Sequence, residues 1–269
     1  MLSNHKIGFI GGGNMAEAIL KGLLAAGVTP DSITIAEPTT TRRDILSDRY
    51  KVNVSGDNAE VAGKTDIIIL AIKPQVSQLV LKGLKDVLTK EKLIISIMAG
   101  IRIAAIEAAL NEGCRVIRVM PNTPALIGAG ATAISGGSTV CANDTDMAEH
   151  IFSLAGFTVQ LEEKLMDAVT ALSGSGPAFV CAFIEALADA GVKCGLSRDI
   201  ATKLAVHTVL GTSRMVHETG DHPALLREQV TSPAGTTIAG LHALELGAFK
   251  GTVMNAVDAA CNRSKELGS

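Results

Sequence analysis

The chain has 269 residues, 47% of them apolar and 19% charged, with a formal net charge of −3. That length and composition suit one or two folded domains and exclude a disordered chain. The near-neutral charge, with no basic run, argues against nucleic acid as a partner.

The first strand is expected at about residue 6, which leaves no room ahead of it for a signal peptide. Apolar runs then recur as "IGFIG" (7–11), "SITIA" (32–36), "YKVNVS" (50–55), "DIIILAI" (66–72), "LIISI" (93–97) and "RVIRVM" (115–120), separated by helical patterns. Such alternation predicts βαβ units and an α/β fold with a parallel, doubly wound sheet covered on both faces. Two more strands are expected near "GATAIS" (130–135) and "FTVQL" (157–161).

From residue 163 the pattern is helical throughout, so the division is placed at 1–162 for a dinucleotide-binding domain and 163–269 for an all-α domain. Residues 177–190 are apolar around most of the helix, which predicts burial in a core or against a second copy of the chain. No apolar run approaches the ~18 residues a membrane helix needs. A cytoplasmic protein without a membrane partner is expected. Cys114, Cys141, Cys181, Cys194 and Cys261 are odd in number and lack C-x-x-C spacing, which fits reduced thiols used as small hydrophobes. The histidines show no ligand spacing, so no metal site is expected.

The chemistry begins at "GFIGGGNMAEAI". Gly11, Gly13 and Ala16 match G-x-G-x-x-A after a strand and at the head of a helix. Gly11 permits the tight turn, Gly13 lets a pyrophosphate approach the backbone, and Ala16 keeps helix and strand close. Asn14 and Met15 lie at the helix N-terminus, whose free N–H groups suit phosphate. Glu37, about twenty residues on, can bond the adenosine ribose hydroxyls. The following "TTTRR" offers Arg42 and Arg43 to a 2′-phosphate. The plain alternative is a solvent-facing Glu37 and an ordinary helix start. NADH and NADPH both remain open.

Strand "DIIILAI" ends in Ala71, Ile72, Lys73 and Pro74, where loops face the cleft of such sheets, so Lys73 is placed to meet ribose or nicotinamide. The small residues of "SIMAG" leave room for a flat ring. In "MPNTPA", Asn122 and Thr123 are placed to bond cofactor or substrate amides. "SGSGPAF" reads as a helix break, with Gly176 and Pro177 opening the next helix. In "SPAGTTIAGL", Ser232 and Pro233 lead into a helix whose N–H groups suit a carboxylate, and Thr237 can aim a hydroxyl at a ring nitrogen. A capped helix start is the bland account of the same residues.

"GFIGGGNMAEAI", "AIKP", "RVMPNTPALIGAG", "LSGSGPAF" and "SPAGTTIAGL", in this order, resemble the pyrroline-5-carboxylate reductase family over nearly the whole chain. The resemblance implies a Rossmann domain followed by a helical dimerisation domain, an intertwined homodimer, and larger rings such as decamers. It implies hydride transfer from NADPH or NADH to the C=N carbon of Δ1-pyrroline-5-carboxylate, giving L-proline. By that likeness Gly11 to Ala16, Asn58, Ile72, Lys73 and Ala99 lie on the cofactor, and Glu163, Gln229, Thr236 and Thr237 on the substrate side. Gln229 departs from the family's usual Asn, keeping the amide but changing its reach. Thr237 is too weak an acid to act alone and is expected to position or relay a proton. A β-hydroxyacid dehydrogenase would carry a lysine on the interdomain helix, and residues 165–192 contain no Lys or Arg. A non-catalytic nucleotide sensor would lack Glu163, Ser232 and Thr237, which are all present.

Overall fold

The computed structural model describes Leu2 and residues 5–268. β1 (Ile7–Ile10), β2 (Ile33–Ala36), β3 (Asn53–Ser55), β4 (Ile67–Leu70), β5 (Leu93–Ser96), β6 (Arg115–Met120), β7 (Gly130–Gly136) and β8 (Gly156–Gln160) fall where the apolar runs predict them. They form one sheet in the order 3-2-1-4-5-6-7-8. The first six are parallel and have the strand order of a Rossmann dinucleotide-binding sheet. β7 runs antiparallel to β6, and β8 parallel to β7. The connection through residues 121–129 is too short for the crossover that a parallel β7 would need.

Helices α1 (Asn14–Ala25), α2 (Thr40–Tyr50), α3 (Asn58–Lys64), α4 (Ser77–Leu84), α5 (Ile103–Ala109) and α6 (Ala142–Ser153) cover the sheet. Successive strand residues point to opposite faces. Phe9 and Ile69 therefore join Leu20, Leu23 and Phe152 on one side, while Ile10 and Ile68 join Leu81, Ile94 and Ile106 on the other. Each fully buried aliphatic side chain contributes roughly 1.5–3 kcal/mol. This aliphatic filling holds the strand ends, and the loops that leave them, in fixed register.

After a short α7 (Met166–Val169) come α8 (Gly176–Lys193), α9 (Arg198–Thr219), α10 (Pro223–Gln229), α11 (Thr236–Leu246) and α12 (Phe249–Leu267). The chain divides into two compact units. One runs to Ser175 and takes back residues from Ala260 onward, and the other is Gly176–Ala259. The sequence division at residue 163 thus lies inside the first unit.

The α-helix is interrupted at "SGSGPAF" as expected, with Gly176 and Pro177 opening α8, but the interruption does not end the helical run. Residues Thr170–Gly174 form a π-helical turn, with the Ser175 N–H donating to the Thr170 carbonyl at 2.9 Å. The helical run continues through Pro177, which has no N–H for the Ser173 carbonyl four residues back. Asn122 Nδ2 donates to that carbonyl at 3.1 Å, and Asn122 Oδ1 accepts from the Ala131 N–H at 2.8 Å. Asn122 is therefore a brace between β7 and the π turn, a role that its expected contact with cofactor or substrate did not include.

This continuity also corrects the expectation about apolar length. Glu163–Lys193 is a run of 31 residues with a mean hydropathy of 1.4 in its most apolar window, enough by length and composition to cross a membrane. Only 11% of that window is buried within the chain.

In the second unit, α8 and α9 pack through Ala188, Ala201 and Ala205, with Ile184, Leu187 and Val192 around them. Beyond that seam the helices leave large apolar side chains open, including Phe183, Ile200, Leu204, Leu210 and Leu244. Among the described residues α11 buries none of its side chains.

Candidate functional site

The glycine turn follows from β1 ending between β2 and β4. Gly11 donates its N–H to the Ala36 carbonyl at 2.8 Å and has φ +100°. A Cβ at Gly11 would lie 2.6 Å from the Ala71 carbonyl oxygen. Only glycine takes that conformation beside that neighbour without strain. A Cβ at Gly13 would meet nothing within 4 Å, so this side of the turn is open to a ligand. Gly13 is the N-cap of α1 and supplies no side-chain cap, leaving the first-turn amides to an incoming anion. Ala16 is buried against the sheet, whereas Asn14 is exposed and Met15 half-buried.

Glu37 directly follows β2, and it does not point idly to solvent. Its Oε2 accepts from the Gly12 N–H and its Oε1 from the Thr39 N–H, both at 3.0 Å. Arg42 Nε donates to the Gly12 carbonyl at 2.7 Å and its Nη2 to Glu17 Oε2 at 2.6 Å. Glu17, immediately after Ala16, also receives Arg49 at 3.1 Å and the Tyr50 hydroxyl, with Lys21 at 3.8 Å. The Tyr50 hydrogen bond, opposed by burial and reinforced by Arg42 and Lys21, holds the Glu17 carboxyl at about 2, against an ordinary 4.5. This ionic hub fixes the turn from behind.

Sequence reasoning missed the Glu17 hub. The signals available were an acidic residue on an otherwise buried helix face and the chain's single tyrosine.

Of the other expected cofactor positions, Ala71 and Ile72 are half-buried at the end of β4. Lys73 is exposed and precedes a short 3-10 turn, Pro74–Val76. Asn58 opens α3, whose cap is supplied instead by the Asp57 carboxylate. Ala99 is exposed on the loop after β5.

Glu163 belongs to the first unit. It accepts from the Ile103 N–H at 2.7 Å and from Arg118 at 3.2 Å. Arg118 is the buried guanidinium of β6, set between Ile117 and Val119, and its need for a carboxylate accounts for Glu163's position. Arg118 and Glu163 line a cleft of about 400 Å³ with Arg102, Lys164, Asp167 and Lys265.

The remaining substrate-side positions lie in the second unit. Gln229 is the exposed last residue of α10. Ser232 and Ala234 form the turn into α11, with Ala234 at φ +57°, a left-handed conformation unusual for alanine. Gly235 donates its N–H to the Ser232 carbonyl at 3.1 Å, and a Cβ there would lie 2.2 Å from Ser232 Oγ. Gly235 is the N-cap of α11 without a side-chain cap. Thr236, Thr237 and the Ser232 hydroxyl therefore gather at an open helix N-terminus. Backbone strain at such a turn is characteristic of sites where geometry is imposed for a ligand.

A family profile described as pyrroline-5-carboxylate reductase dimerisation matches residues 163–267. Another, described as NADP oxidoreductase, coenzyme F420-dependent, matches residues 6–100. A pyrroline-5-carboxylate reductase of Methanosarcina acetivorans is 48% identical over 268 residues, 99% of each chain. Among solved structures, a pyrroline-5-carboxylate reductase from Coxiella burnetii superposes with a TM-score of 0.92 at 38% identity, covering 98% of this chain and 99% of that one. The Plasmodium falciparum pyrroline carboxylate reductase with NADP bound gives 0.90 at 38% identity, with 99% of each chain covered.

Proposed function

The chain belongs to the pyrroline-5-carboxylate reductase family, and we infer that it reduces Δ1-pyrroline-5-carboxylate to L-proline with NAD(P)H, the last step of proline biosynthesis. The observation that carries this is likeness along the whole chain, taking in both the glycine turn and the turn into α11. When bound, the nicotinamide supplies a hydride to the ring carbon, and the nitrogen carries a proton into the product amine.

The open face at Gly13 and the uncapped start of α1 fit the pyrophosphate of such a cofactor. We assign Gly11, Gly13, Asn14, Met15 and Ala16 to it, with Glu37 at the ribose and Asn58, Ala71, Ile72, Lys73, Pro74 and Ala99 along the cleft. The uncapped amides of α11, with Ser232 and Thr236, hold the substrate carboxylate. An anion there gains roughly 0.3–1 kcal/mol from the helix dipole, up to about 2 when partly buried. Thr237 is assigned to the ring nitrogen, to orient it and pass a proton, and Gln229 and Glu163 are assigned to the substrate by the family likeness. The working division stays at residue 163, with dinucleotide binding before it and substrate binding and self-association after it.

The exposed apolar faces of α8, α9 and α11 are what a homodimer would cover, and assembly into a larger ring such as a decamer is compatible with them. The cytoplasmic location expected from the sequence is kept as part of this reading. The stretch 165–192 has no cation to handle an alcohol proton, so a β-hydroxyacid dehydrogenase reading is not favoured.

The test adds pyrroline-5-carboxylate with NADH or NADPH and follows nicotinamide absorbance. Oxidation of neither cofactor overturns the assignment. Thr237→Ala should cut kcat at least a hundredfold while leaving cofactor Kd within threefold. Equal losses in both would remove Thr237 from the nitrogen.

A further inference from the structure

The sequence alone leaves the two dinucleotides undecided between Glu37 and the arginines of "TTTRR". The hydrogen-bond arrangement separates them. Each oxygen of the Glu37 carboxylate accepts one backbone N–H, from Gly12 and Thr39. An ionised carboxylate has about four acceptor positions, so each oxygen keeps one free. Two neighbouring ribose hydroxyls can donate to those positions. A 2′-phosphate ester, carrying about −1.5 to −2 charges at neutral pH, brings like charge to the same place and almost no proton to give.

The arginines are engaged elsewhere. Arg42 spends Nε on the Gly12 carbonyl and Nη2 on Glu17. Arg43 donates through Nη1 to the Glu37 and Pro38 carbonyls at 2.6 and 2.9 Å, and through Nη2 to Thr40 Oγ1 at 2.9 Å. Each guanidinium keeps unused N–H groups, but its orientation is set by these partners, and a phosphate at the ribose would meet the Glu37 carboxylate.

We propose that Glu37 reads the unsubstituted adenosine ribose, so that this chain takes NADH in preference to NADPH. This rests on the dinucleotide reading of the glycine turn. Arg42 and Arg43 are then positioning residues. They hold the turn and the loop after β2, and they do not serve as a phosphate receptor.

The experiment titrates NADH and NADPH into the full-length protein without substrate and follows nicotinamide fluorescence. NADH should bind at least tenfold more tightly. Glu37→Gln should narrow that ratio at least fivefold, chiefly by tightening NADPH. Arg43→Ala should leave the NADPH Kd within threefold. Tighter NADPH binding by the wild type, an unchanged ratio in Glu37→Gln, or a selective loss of NADPH in Arg43→Ala each overturns the proposal. Should Glu37→Gln fail to fold, the wild-type ratio decides. Binding of neither dinucleotide at millimolar concentration would instead overturn the dinucleotide reading itself.

Discussion

Replacing Glu17 by Gln removes one charge from the hub behind the glycine turn and keeps the shape. The folded carboxyl titrates at about 2 against an ordinary 4.5. At 1.36 kcal/mol per tenfold change in proton affinity, that displacement amounts to about 3 kcal/mol at pH 7. Because the folded value is the depressed one, the stabilisation is complete above about pH 4.5 and is lost as pH falls through about 2. Linkage leaves about 1 kcal/mol of it at pH 3. The Glu17 side chain is only 10% exposed, so solvent screens the Arg42 contact little, whereas Arg49, 59% exposed, adds little. Urea unfolding of wild type and Glu17→Gln, at one fixed protomer concentration because self-association shifts the midpoint, should show a deficit of about 3 kcal/mol at pH 7. That deficit should shrink by more than half at pH 3. A deficit below about 1 kcal/mol at pH 7, or one equal at both pH values, would show that the hub is not held by charge.

Gly11→Ala forces a Cβ against the Ala71 carbonyl at positive φ and should lower stability by about 1–3 kcal/mol in thermal unfolding. Gly13→Ala should melt like wild type and yet weaken dinucleotide Kd at least tenfold, since only a ligand would meet its methyl group. Asn122→Ala strands the Ser173 carbonyl and the Ala131 N–H and should cost about 1–3 kcal/mol by chemical denaturation. Light scattering at micromolar concentration should give at least twice the protomer mass, reduced by Leu204→Glu on the open face of α9. A monomeric wild type would refute the reading of those apolar helices.

The strands were legible because each is a short aliphatic run between turn signals, and "DIIILAI" lacks alternation because β4 is covered on both sides. The glycine turn was legible because its spacing encodes steric demands local to the chain. Residues whose partners lie far along the sequence were not. Glu37 and the two arginines gave opposed cues until Gly12, Thr39 and Glu17 were brought beside them. Arg118 in "RVIRVM" shows only as a charge beside apolar residues, and nothing in the sequence pairs it with Glu163, forty-five positions on. The π turn escaped because Gly and Pro ordinarily end helices. Here an asparagine from the "MPNTPA" loop takes up the carbonyl that the proline leaves free. For the same reason the apolar length of Glu163–Lys193 does not show in the sequence.

The Ser264 hydroxyl of α12 donates to Asp167 at 2.7 Å, joining positions 97 residues apart. The first unit thus holds residues from both sides of the helical unit Gly176–Ala259, which is inserted into it in sequence like a cassette. Excising it and bridging Ser175 to Ala260 with a glycine linker carries a modest entropic demand, since each doubling of linker length costs only about 0.6 kcal/mol. The product would be a miniature protein that still captures dinucleotide but has no means to turn it over.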